Sequence, residues 1–294
     1  MTFEEARAAF PVLERYAYLN AGTFGPLPRP VAEAVAEQRT RDLEHGRSGP
    51  PYFDWILEAR ERVRAKVAAT VGVDPANVAL TRATTDGCNI VLGGLGLGSE
   101  DEVVTTNAEH FGLVGALAAS GVRIRVAEVT DQTGEDIVET VLAEVGPRTR
   151  LIALSHVLWT TGNLVPVEEL RERTPLPLLV DGAQSVGAIP VDARPFDFYT
   201  VSCQKWLCGP DATGALYVAD PESLRVVFPS YFSQSGFEPD GDYTPRPGAA
   251  RFDNGWLAAG LLAGLEATLD FHPDWRFQRA AEMARRCRER LAER

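Results

Sequence analysis

Lysine, the side chain that supplies an amine nucleophile, is rare in this chain. Only two of its 29 basic residues are lysines, Lys66 and Lys205, and an arginine guanidinium stays protonated and cannot replace them in amine chemistry. Lys66 is expected on the solvated side of a helix, together with Arg60, Arg62 and Arg64. Lys205 follows a short apolar segment and precedes Gly209-Pro210, so it is the candidate for covalent chemistry. A packed stem with a solvated amine is the alternative.

A carboxylate and two threonines occupy similar places, at or shortly after the ends of apolar segments. Asp181 follows residues 176–180, where a buried charge is costly unless a cation, such as a protonated ring nitrogen, meets it. Thr84 and Thr85 follow residues 77–81 and open a predicted helix. Hydroxyls and free N–H groups at a helix start can bind a phosphate. A plain helix N-cap is the alternative for these threonines.

His110 has a comparable position after residues 101–106, at the start of the next predicted helix. Its ring could stack on a planar ligand, and a capping or core histidine is the alternative. The other histidines lack the spacing of metal ligands, so no metal site is expected. The glycines of residues 94–98 lack the dinucleotide-binding spacing and precede a strand, which makes a nicotinamide-dependent dehydrogenase a distant alternative.

These candidate residues can form one site only if the strands that precede them end at the same edge of a sheet. Seven short apolar segments are predicted strands: residues 77–81, 101–106, 123–129, 150–155, 176–180, 197–201 and 214–218. Helical segments alternate with them, which predicts an α/β fold whose mostly parallel sheet is sandwiched by helices. Ligands of such sheets bind at the carboxyl ends of the strands. Lys205, Asp181 and His110 are therefore expected to lie close together.

The remaining segments are a long helix, a loop and two C-terminal helices. Residues 51–71 carry an apolar stripe at helical spacing. Residues 229–251 are rich in Gly, Pro, Ser and Asp and are predicted to be a structureless active-site or interface loop. Helices are predicted over 255–272 and 275–294, and the second reaches the last residue without a stop signal. The chain is therefore expected to be incomplete there.

Composition limits the class of protein. Hydrophobic residues make up 45% of the 294 and charged residues 24%, which is typical of a folded globular chain. The net charge of −12 disfavours nucleic acid and anionic membranes as partners. No segment has the length and apolar character of a membrane span, the N-terminus has no signal-peptide pattern, and the four cysteines form no disulfide framework. A cytoplasmic location is expected.

Three motifs around Lys205 resemble those of a known family. They are Asp181-Gly-Ala-Gln184, Ser202-Cys-Gln-Lys205-Trp-Leu-Cys-Gly-Pro210 and Thr213-Gly-Ala-Leu-Tyr217. Together they resemble the class V aminotransferase family, pyridoxal-phosphate enzymes of fold type I. That family contains cysteine desulfurases, cysteine and cystine carbon-sulfur lyases and isopenicillin-epimerase-like proteins. The resemblance covers about residues 15–270.

The resemblance implies a role for each candidate residue. Lys205 would form the Schiff base with pyridoxal phosphate and move the substrate α-proton, while Asp181 would pair with the pyridine nitrogen. His110 would stack on the ring, Gln184 would bond the ring oxygen, and Asn20 would contact the substrate. The phosphate would be bound by Thr84, Thr85, Ser202 and Gln204, and across a subunit interface by Asn254 and Gly255.

The implied reaction is chemistry on an amino-acid substrate, with carbon-sulfur lyase activity on cysteine or cystine favoured. An aminotransferase or an epimerase of the same family is the alternative, and a non-catalytic interaction or regulatory protein of the same fold is the alternative from another class. Desulfuration is least favoured. Gln204 stands where desulfurases usually have histidine, Trp159 stands where they tend to have asparagine, and the attacking cysteine has no match here.

The resemblance also implies an assembly and a division into domains. Family members build each site at a dimer interface, so a homodimer is expected. Residues 1–270 are expected to form an N-terminal arm and the large cofactor-binding domain, and residues 271–294 the start of an incomplete small domain. Because the small domain usually supplies the arginine that clamps the substrate carboxylate, slow turnover is expected of this chain.

Overall fold

A seven-stranded sheet organises the structure. The computed structural model describes residues 1–293. The strands of the sheet are β1 (Val78–Thr81), β2 (Glu102–Thr106), β3 (Arg123–Ala127), β4 (Thr149–Ser155), β5 (Leu178–Asp181), β6 (Phe198–Ser202) and β7 (Gly214–Val218). Their order is β1-β7-β6-β5-β4-β2-β3. Strands β3, β2, β4, β5 and β6 run parallel, and β7 is antiparallel to both neighbours. The predicted, mostly parallel sheet is confirmed, with strand bounds that differ by one or two residues.

Helices connect the strands and cover the sheet. In residues 1–293 they are α1 (Phe3–Ala8), α2 (Arg29–His45), α3 (Gly49–Val71), α4 (Thr84–Leu95), α5 (Phe111–Ser120), α6 (Glu135–Ala143), α7 (Val167–Arg173), α8 (Ala259–Phe271) and α9 (Arg276–Ala292). Helices α3, α6, α7 and α8 contribute to the core on one face of the sheet. Helices α4 and α5 contribute to the core on the other face. Both faces are buried, as expected of a sheet with crossover helices.

Helix α3 corrects one expectation. It begins at Gly49, two residues before the predicted start, and ends at Val71. Arg60 and Arg64 are not on its solvated side, because their relative exposures are 0% and 3%. Both guanidinium groups donate to the carboxylate of Asp253, far along the chain. Helical spacing places Arg60 among the buried residues of α3, between Ile56 and Val63, but the sequence does not show the remote carboxylate that makes burial of its charge possible.

The segment predicted to be structureless, residues 229–251, contains a β-hairpin, so that prediction is wrong. Strand β8 (Gln234–Phe237) pairs antiparallel with β9 (Tyr243–Pro245). The connection contains Gly241 at a φ of +102°, a conformation that glycine adopts without steric cost. A short 3₁₀ helix, Gly248–Phe252, follows. A role of this segment in an interface or active site stays a prediction.

The C-terminal helices begin later than predicted. The backbone at Gly255 has a φ of +151°, outside the helical region, and α8 starts only at Ala259. Helix α9 ends at Ala292, and the predicted end at Arg294 lies outside the described residues. Within residues 1–293, no helix combines the length and apolar character that crossing a membrane needs. The division at residue 270 stays a prediction.

Candidate active site

Strand ends place three of the candidate residues at one edge of the sheet. Asp181 is the last residue of β5, and its partner in the adjacent strand is Ser155, the last residue of β4. Lys205 follows the end of β6 by three residues. His110 follows β2 and is the N-cap of α5. The charges of Lys205 and His110 both act on the Asp181 carboxylate, so the structure brings these three side chains together.

Asp181 is a buried carboxylate with one oxygen satisfied. Its Oδ1 accepts hydrogen bonds from the N–H of Ala183 at 2.9 Å and from the hydroxyl of Thr200 at 3.1 Å. Its Oδ2 accepts no hydrogen bond from any residue in 1–293. Burial raises the pKa of Asp181, and the lowering effects of its hydrogen bonds and of Lys205 do not cancel that rise. This carboxylate is suited to an external N–H or cationic partner.

Lys205 is a half-buried amine with no fixed partner. Burial lowers the pKa of Lys205, and the negative charge of Asp181 only partly opposes the shift. Among residues 1–293, its Nζ makes no ion pair within 4 Å. A lower pKa increases the fraction of neutral amine, which is the nucleophilic form. The surroundings of Lys205 thus favour covalent chemistry over a surface role.

Helix α4 opens with uncapped backbone groups. It begins at Thr84, and its N-cap is Ala83, which has no side-chain acceptor. The threonine N-cap considered from the sequence is therefore wrong, and the first N–H groups of α4 have no side-chain cap among the described residues. The backbone of Ala83 packs closely against Gly214: a Cβ atom built on this glycine would lie only 3.1 Å from the Ala83 nitrogen. Gly214 pairs with Ser202, so the helix start and Ser202 border one region.

Two further contacts belong to the region between the start of α4 and Ser202, called here the anion-binding region. The Thr85 Oγ1 would lie 2.6 Å from a Cβ on Gly112, so the first turns of α4 and α5 meet. Ser202 donates its hydroxyl to the Oε1 of Gln204 at 3.0 Å. The hydroxyls and the uncapped helix start can together bind an anion such as a phosphate.

His110 has the capping role that the sequence left as the alternative. Its Nδ1 accepts the N–H of Gly112 at 3.0 Å, so His110 caps α5. In a neutral ring this bond leaves the hydrogen on Nε2. The ring is exposed and meets Trp159 edge to face, with centroids 5.4 Å apart and planes at 88°. Capping and the aromatic contact fix the ring orientation, and its stacking on a ligand stays a prediction.

An N-terminal arm, residues 20–25, docks beside Lys205. Gln184 donates from Nε2 to the Gly22 carbonyl at 2.9 Å and accepts at Oε1 from Trp206 at 2.7 Å. The N–H of Gly25 donates to the Gln204 carbonyl at 2.8 Å. The arm therefore uses one of the two hydrogens on Gln184 Nε2. The second hydrogen remains available to another acceptor. The candidate substrate residue, Asn20, is exposed at the start of the arm.

Gly25 is a site residue that the sequence analysis missed. A Cβ at this position would lie 2.1 Å from the Lys205 carbonyl oxygen, so no other residue fits without displacing the arm. The available signal was a glycine close after Asn20, within a segment that has no strand or helix pattern.

Asn254 and Gly255 lie beside the buried guanidinium groups of helix α3. They follow Asp253, which is buried between the guanidinium groups of α3. The carbonyl of Gly255 accepts a long hydrogen bond, 3.5 Å, from Arg60 Nη1. No hydrogen bond within residues 1–293 joins Asn254 or Gly255 to Lys205 or Asp181. Their expected phosphate contact across a subunit interface stays a prediction.

Glu109 is a second carboxyl group at the edge that the sequence analysis did not assign to the site. Its Oε1 accepts the Thr106 hydroxyl at 2.7 Å, and its Oε2 accepts the N–H and hydroxyl of Ser155 at 3.0 and 2.5 Å. Burial raises the pKa of Glu109 to about 7, although these hydrogen bonds lower it. Across residues 1–293, no cluster of three or more potential ligands is arranged to hold a metal ion.

Comparison with known proteins identifies the family of this chain. The family profile described as Aminotransferase class-V matches residues 17–294. The chain belongs to the class-V aminotransferase family. An isopenicillin N epimerase of Streptomyces clavuligerus is 30% identical over 83% of this chain and 63% of its own length. A probable cysteine desulfurase of Methanothermobacter thermautotrophicus is 29% identical over 92% of this chain and 70% of its own length.

Solved structures of class-V relatives share the fold. The cystine C–S lyase C-DES, in complex with its reaction product cysteine persulfide, has a TM-score of 0.83 and 31% identity, covering 93% of this chain and 75% of C-DES. A C-DES mutant with glycine covalently linked to the PLP cofactor has a TM-score of 0.84 at 31% identity, covering 90% of this chain and 73% of the mutant. This chain spans only 63% and 58% of the first two curated relatives, both isopenicillin N epimerases.

Proposed function

We propose that the protein binds pyridoxal phosphate through Lys205 and acts on cysteine or cystine as a carbon-sulfur lyase. The observation that carries the proposal is the open Oδ2 of buried Asp181 beside a lysine of lowered pKa. C-DES supports the choice of reaction, because it is described as a cystine C–S lyase and shares the fold at 31% identity. The PLP cofactor in the C-DES mutant supports the choice of cofactor.

The residues at the edge fit this cofactor. The Oδ2 of Asp181 is free to accept a ring N–H, and the exposed ring of His110 offers an aromatic face. The second amide hydrogen of Gln184 is available for the ring oxygen. The phosphate would bind to the start of α4 and to the side chains of Thr84, Thr85, Ser202 and Gln204. When bound, pyridoxal phosphate supplies an electron sink for negative charge at the substrate α-carbon.

Two residues of the chain carry the proton and charge steps. Lys205, with its lowered pKa, would accept the proton from the substrate α-carbon. The carbon-sulfur bond then breaks, and the sulfur leaves with the bonding electrons. Asp181, held by Ala183 and Thr200, would keep the ring nitrogen protonated so that it attracts electrons. Asn20, on the docked arm, would contact the substrate.

The buried thiols favour lyase over desulfurase chemistry. A desulfurase needs a thiolate to attack the substrate sulfur. Burial raises the pKa values of Cys203 and Cys208, which flank Lys205, to about 12, so neither supplies a thiolate at neutral pH. An epimerase is the second candidate function, because an isopenicillin N epimerase is among the relatives.

The proposal extends to assembly and location. We expect a cytoplasmic homodimer in which Asn254 and Gly255 approach the phosphate of the other subunit's cofactor. Residues 1–270 would form the arm and the large cofactor-binding domain, and residues 271–294 would begin a smaller one. Light scattering of the cofactor-loaded protein tests the assembly, and a monomer with fully bound cofactor would argue against it.

Borohydride reduction tests the cofactor proposal. The purified protein loaded with pyridoxal phosphate should be yellow, and reduction should fix the cofactor on the peptide that contains Lys205. Lys205→Ala should abolish this labelling, whereas Lys66→Ala should leave it unchanged. Labelling of Lys66, or no labelling, would refute the proposal, and the second result would favour a non-catalytic protein.

An amino-acid panel tests the reaction. The loaded protein should release ammonia, keto acid and a sulfur product from cysteine or cystine. Keto acid without ammonia, formed only with an acceptor keto acid, would instead indicate transamination. Racemisation without release of either product would indicate epimerisation.

A further inference from the structure

Glu109 joins two strand ends beside the candidate site, and the proposed chemistry gives it no task. We propose that Glu109 is a positioning residue, whose carboxyl group ties the end of β2 to the end of β4 and so fixes His110 and Asp181 around bound pyridoxal phosphate. This inference rests on the proposed cofactor.

The hydrogen bonds of Glu109 span the two strands. Thr106, the last residue of β2, donates its hydroxyl to Oε1 at 2.7 Å. Ser155, the last residue of β4, donates both its N–H at 3.0 Å and its hydroxyl at 2.5 Å to Oε2. Three donors from two strands therefore converge on one carboxyl group, and its removal would leave the buried Ser155 N–H without a partner.

The link continues from Ser155 to Asp181. Ser155 and Asp181 are register partners in the β4–β5 ladder. The next N–H along the chain, that of His156, donates to the Asp181 carbonyl at 3.0 Å. A displacement of Ser155 would thus move the backbone of the residue that is proposed to pair with the cofactor nitrogen.

A second link runs from Glu109 to His110, its neighbour in the chain. His110 caps α5 through the N–H of Gly112 at 3.0 Å, and Gly112 lies against Thr85 at the start of α4. The same carboxyl group therefore anchors the peptide that leads to the candidate stacking ring and to the anion-binding region.

The charges around Glu109 are compatible with this role. The charge that acts on Glu109 is that of Asp181 of β5, and Glu109 in turn contributes to the raised pKa of the buried Cys88 thiol of α4. The bonds that Glu109 accepts within residues 1–293 come from uncharged donors, the hydroxyl of Thr106 and the N–H and hydroxyl of Ser155. Lys205 and His110 act on Asp181 instead. Burial raises the pKa of Glu109 to about 7, so much of the population is neutral near pH 7. Asp181 then carries the negative charge toward the cofactor.

Cofactor affinity in three variants tests the proposal. Glu109→Ala should weaken pyridoxal phosphate binding about tenfold or more, because buried donors lose their acceptor and the strand ends are released. Glu109→Gln should restore most of the affinity, since its amide oxygen can accept from Ser155. Glu102→Gln is the matched control: it alters a buried carboxylate at the opposite end of β2, bound by Arg148, and should leave the affinity unchanged.

A spectroscopic readout separates positioning from general destabilisation. In Glu109→Gln, the pH midpoint of the bound cofactor's visible absorbance should fall, because the negative charge that wild-type Glu109 gains above about pH 7 is removed. If Glu109→Ala does not fold, Ser155→Ala removes one donor of the link and should still weaken binding.

Two results distinguish the possible failures. Wild-type affinity in Glu109→Ala, or in Ser155→Ala if the first variant does not fold, would overturn the inference while the proposed function stands. Absence of pyridoxal phosphate binding by the wild type would overturn the proposed function itself.

Discussion

Two buried aspartates of this protein carry the same group in opposite surroundings. Asp253 is fully buried, and its carboxylate accepts four hydrogen bonds: one from Arg60, two from Arg64 and one from the N–H of Leu80. Asp181 is 3% exposed and accepts two hydrogen bonds, both at one oxygen. We call Asp253 the closed carboxylate, because guanidinium groups of the protein neutralise it and both of its oxygens accept hydrogen bonds. We call Asp181 the open carboxylate, because its Oδ2 accepts no hydrogen bond from residues 1–293.

The pKa values of the two aspartates shift in opposite directions. Burial raises the pKa of Asp253, but Arg64 and Arg60 outweigh this effect and hold it below its usual value. Burial also raises the pKa of Asp181, where the opposing groups, chiefly its hydrogen bonds and Lys205, are too weak to reverse the rise. A buried carboxylate with a structural role is neutralised by cations of the same chain. A buried carboxylate that binds a ligand remains destabilising to the ligand-free fold, because its charge is compensated only when the ligand binds.

The largest expected effect is the loss of stability when the closed carboxylate is removed. Asp253→Ala should lower the free energy of unfolding by about 3 to 5 kcal/mol, because the buried Arg60 guanidinium loses its counter-charge and that of Arg64 keeps only the half-exposed Glu61. The Nε of Arg60 is already buried without a partner among residues 1–293, so little remains to compensate. Urea unfolding measures the loss, and a change below about 1 kcal/mol would show that Asp253 is not structurally important.

The open carboxylate should show the reverse pattern. Asp181→Asn keeps an acceptor for Ala183 and Thr200 and removes an uncompensated buried charge, so unfolding should need at least as much free energy as in the wild type. Turnover of the amino-acid substrate should nevertheless fall on the order of 10²- to 10³-fold, because a neutral amide does not stabilise a protonated ring nitrogen. Bound cofactor, followed by visible absorbance, should persist. Unchanged turnover would contradict the assignment.

The sequence predicts the open aspartate and not the closed one. Asp181 directly follows an apolar segment and Lys205 comes shortly after another. Residues in such positions meet at one edge of a parallel sheet, and this does not depend on the rest of the chain. Arg60 and Arg64 are expected on a solvated face because they are charged, although they fall among the buried residues of α3. Only Asp253, in a different segment, explains their burial. Local patterns indicate where strands end, but they do not contain the partners of buried charges.

Glu109 and Gly25 were missed for the same reason. Glu109 is a polar residue beside a candidate histidine, and its role depends on Ser155 in another strand. Gly25 is required because the Lys205 carbonyl occupies the space of its Cβ. Both constraints come from contacts between remote segments, which spacing along one chain does not show.

Glu109 and Asp253 should make stability depend on pH in opposite directions, because the pKa of Glu109 is raised and that of Asp253 is lowered. The pKa of Glu109 in the folded chain is raised from 4.5 to about 7. Its contribution to stability is therefore present in full below pH 4.5 and is lost as the pH rises through about 7, a total of about 3 kcal/mol. Asp253, whose pKa is lowered, contributes stability that is lost only in acid.

Unfolding of cofactor-free protein between pH 5 and 8 measures this difference, with Glu109→Gln as the comparison. Relative to that variant, the wild type should lose unfolding free energy as the pH rises, since only the wild type must ionise a buried carboxyl group at this position. Parallel pH curves for the two proteins would show that Glu109 has an ordinary pKa.

The smallest effect is expected at Lys66, which provides the baseline for an exposed ion pair. Its Nζ lies 2.5 Å from Asp270, whose side chain is 62% exposed. Lys66→Ala should lower the free energy of unfolding by at most about 1 kcal/mol, because solvent screens the pair and the long side chains lose entropy on pairing. Arg62, one turn earlier on α3, already pairs with Glu266 on α8, so a second bridge between these helices remains. Cofactor content should not change, and a loss comparable to that of Asp253→Ala would mean that exposed and buried ion pairs contribute alike in this fold.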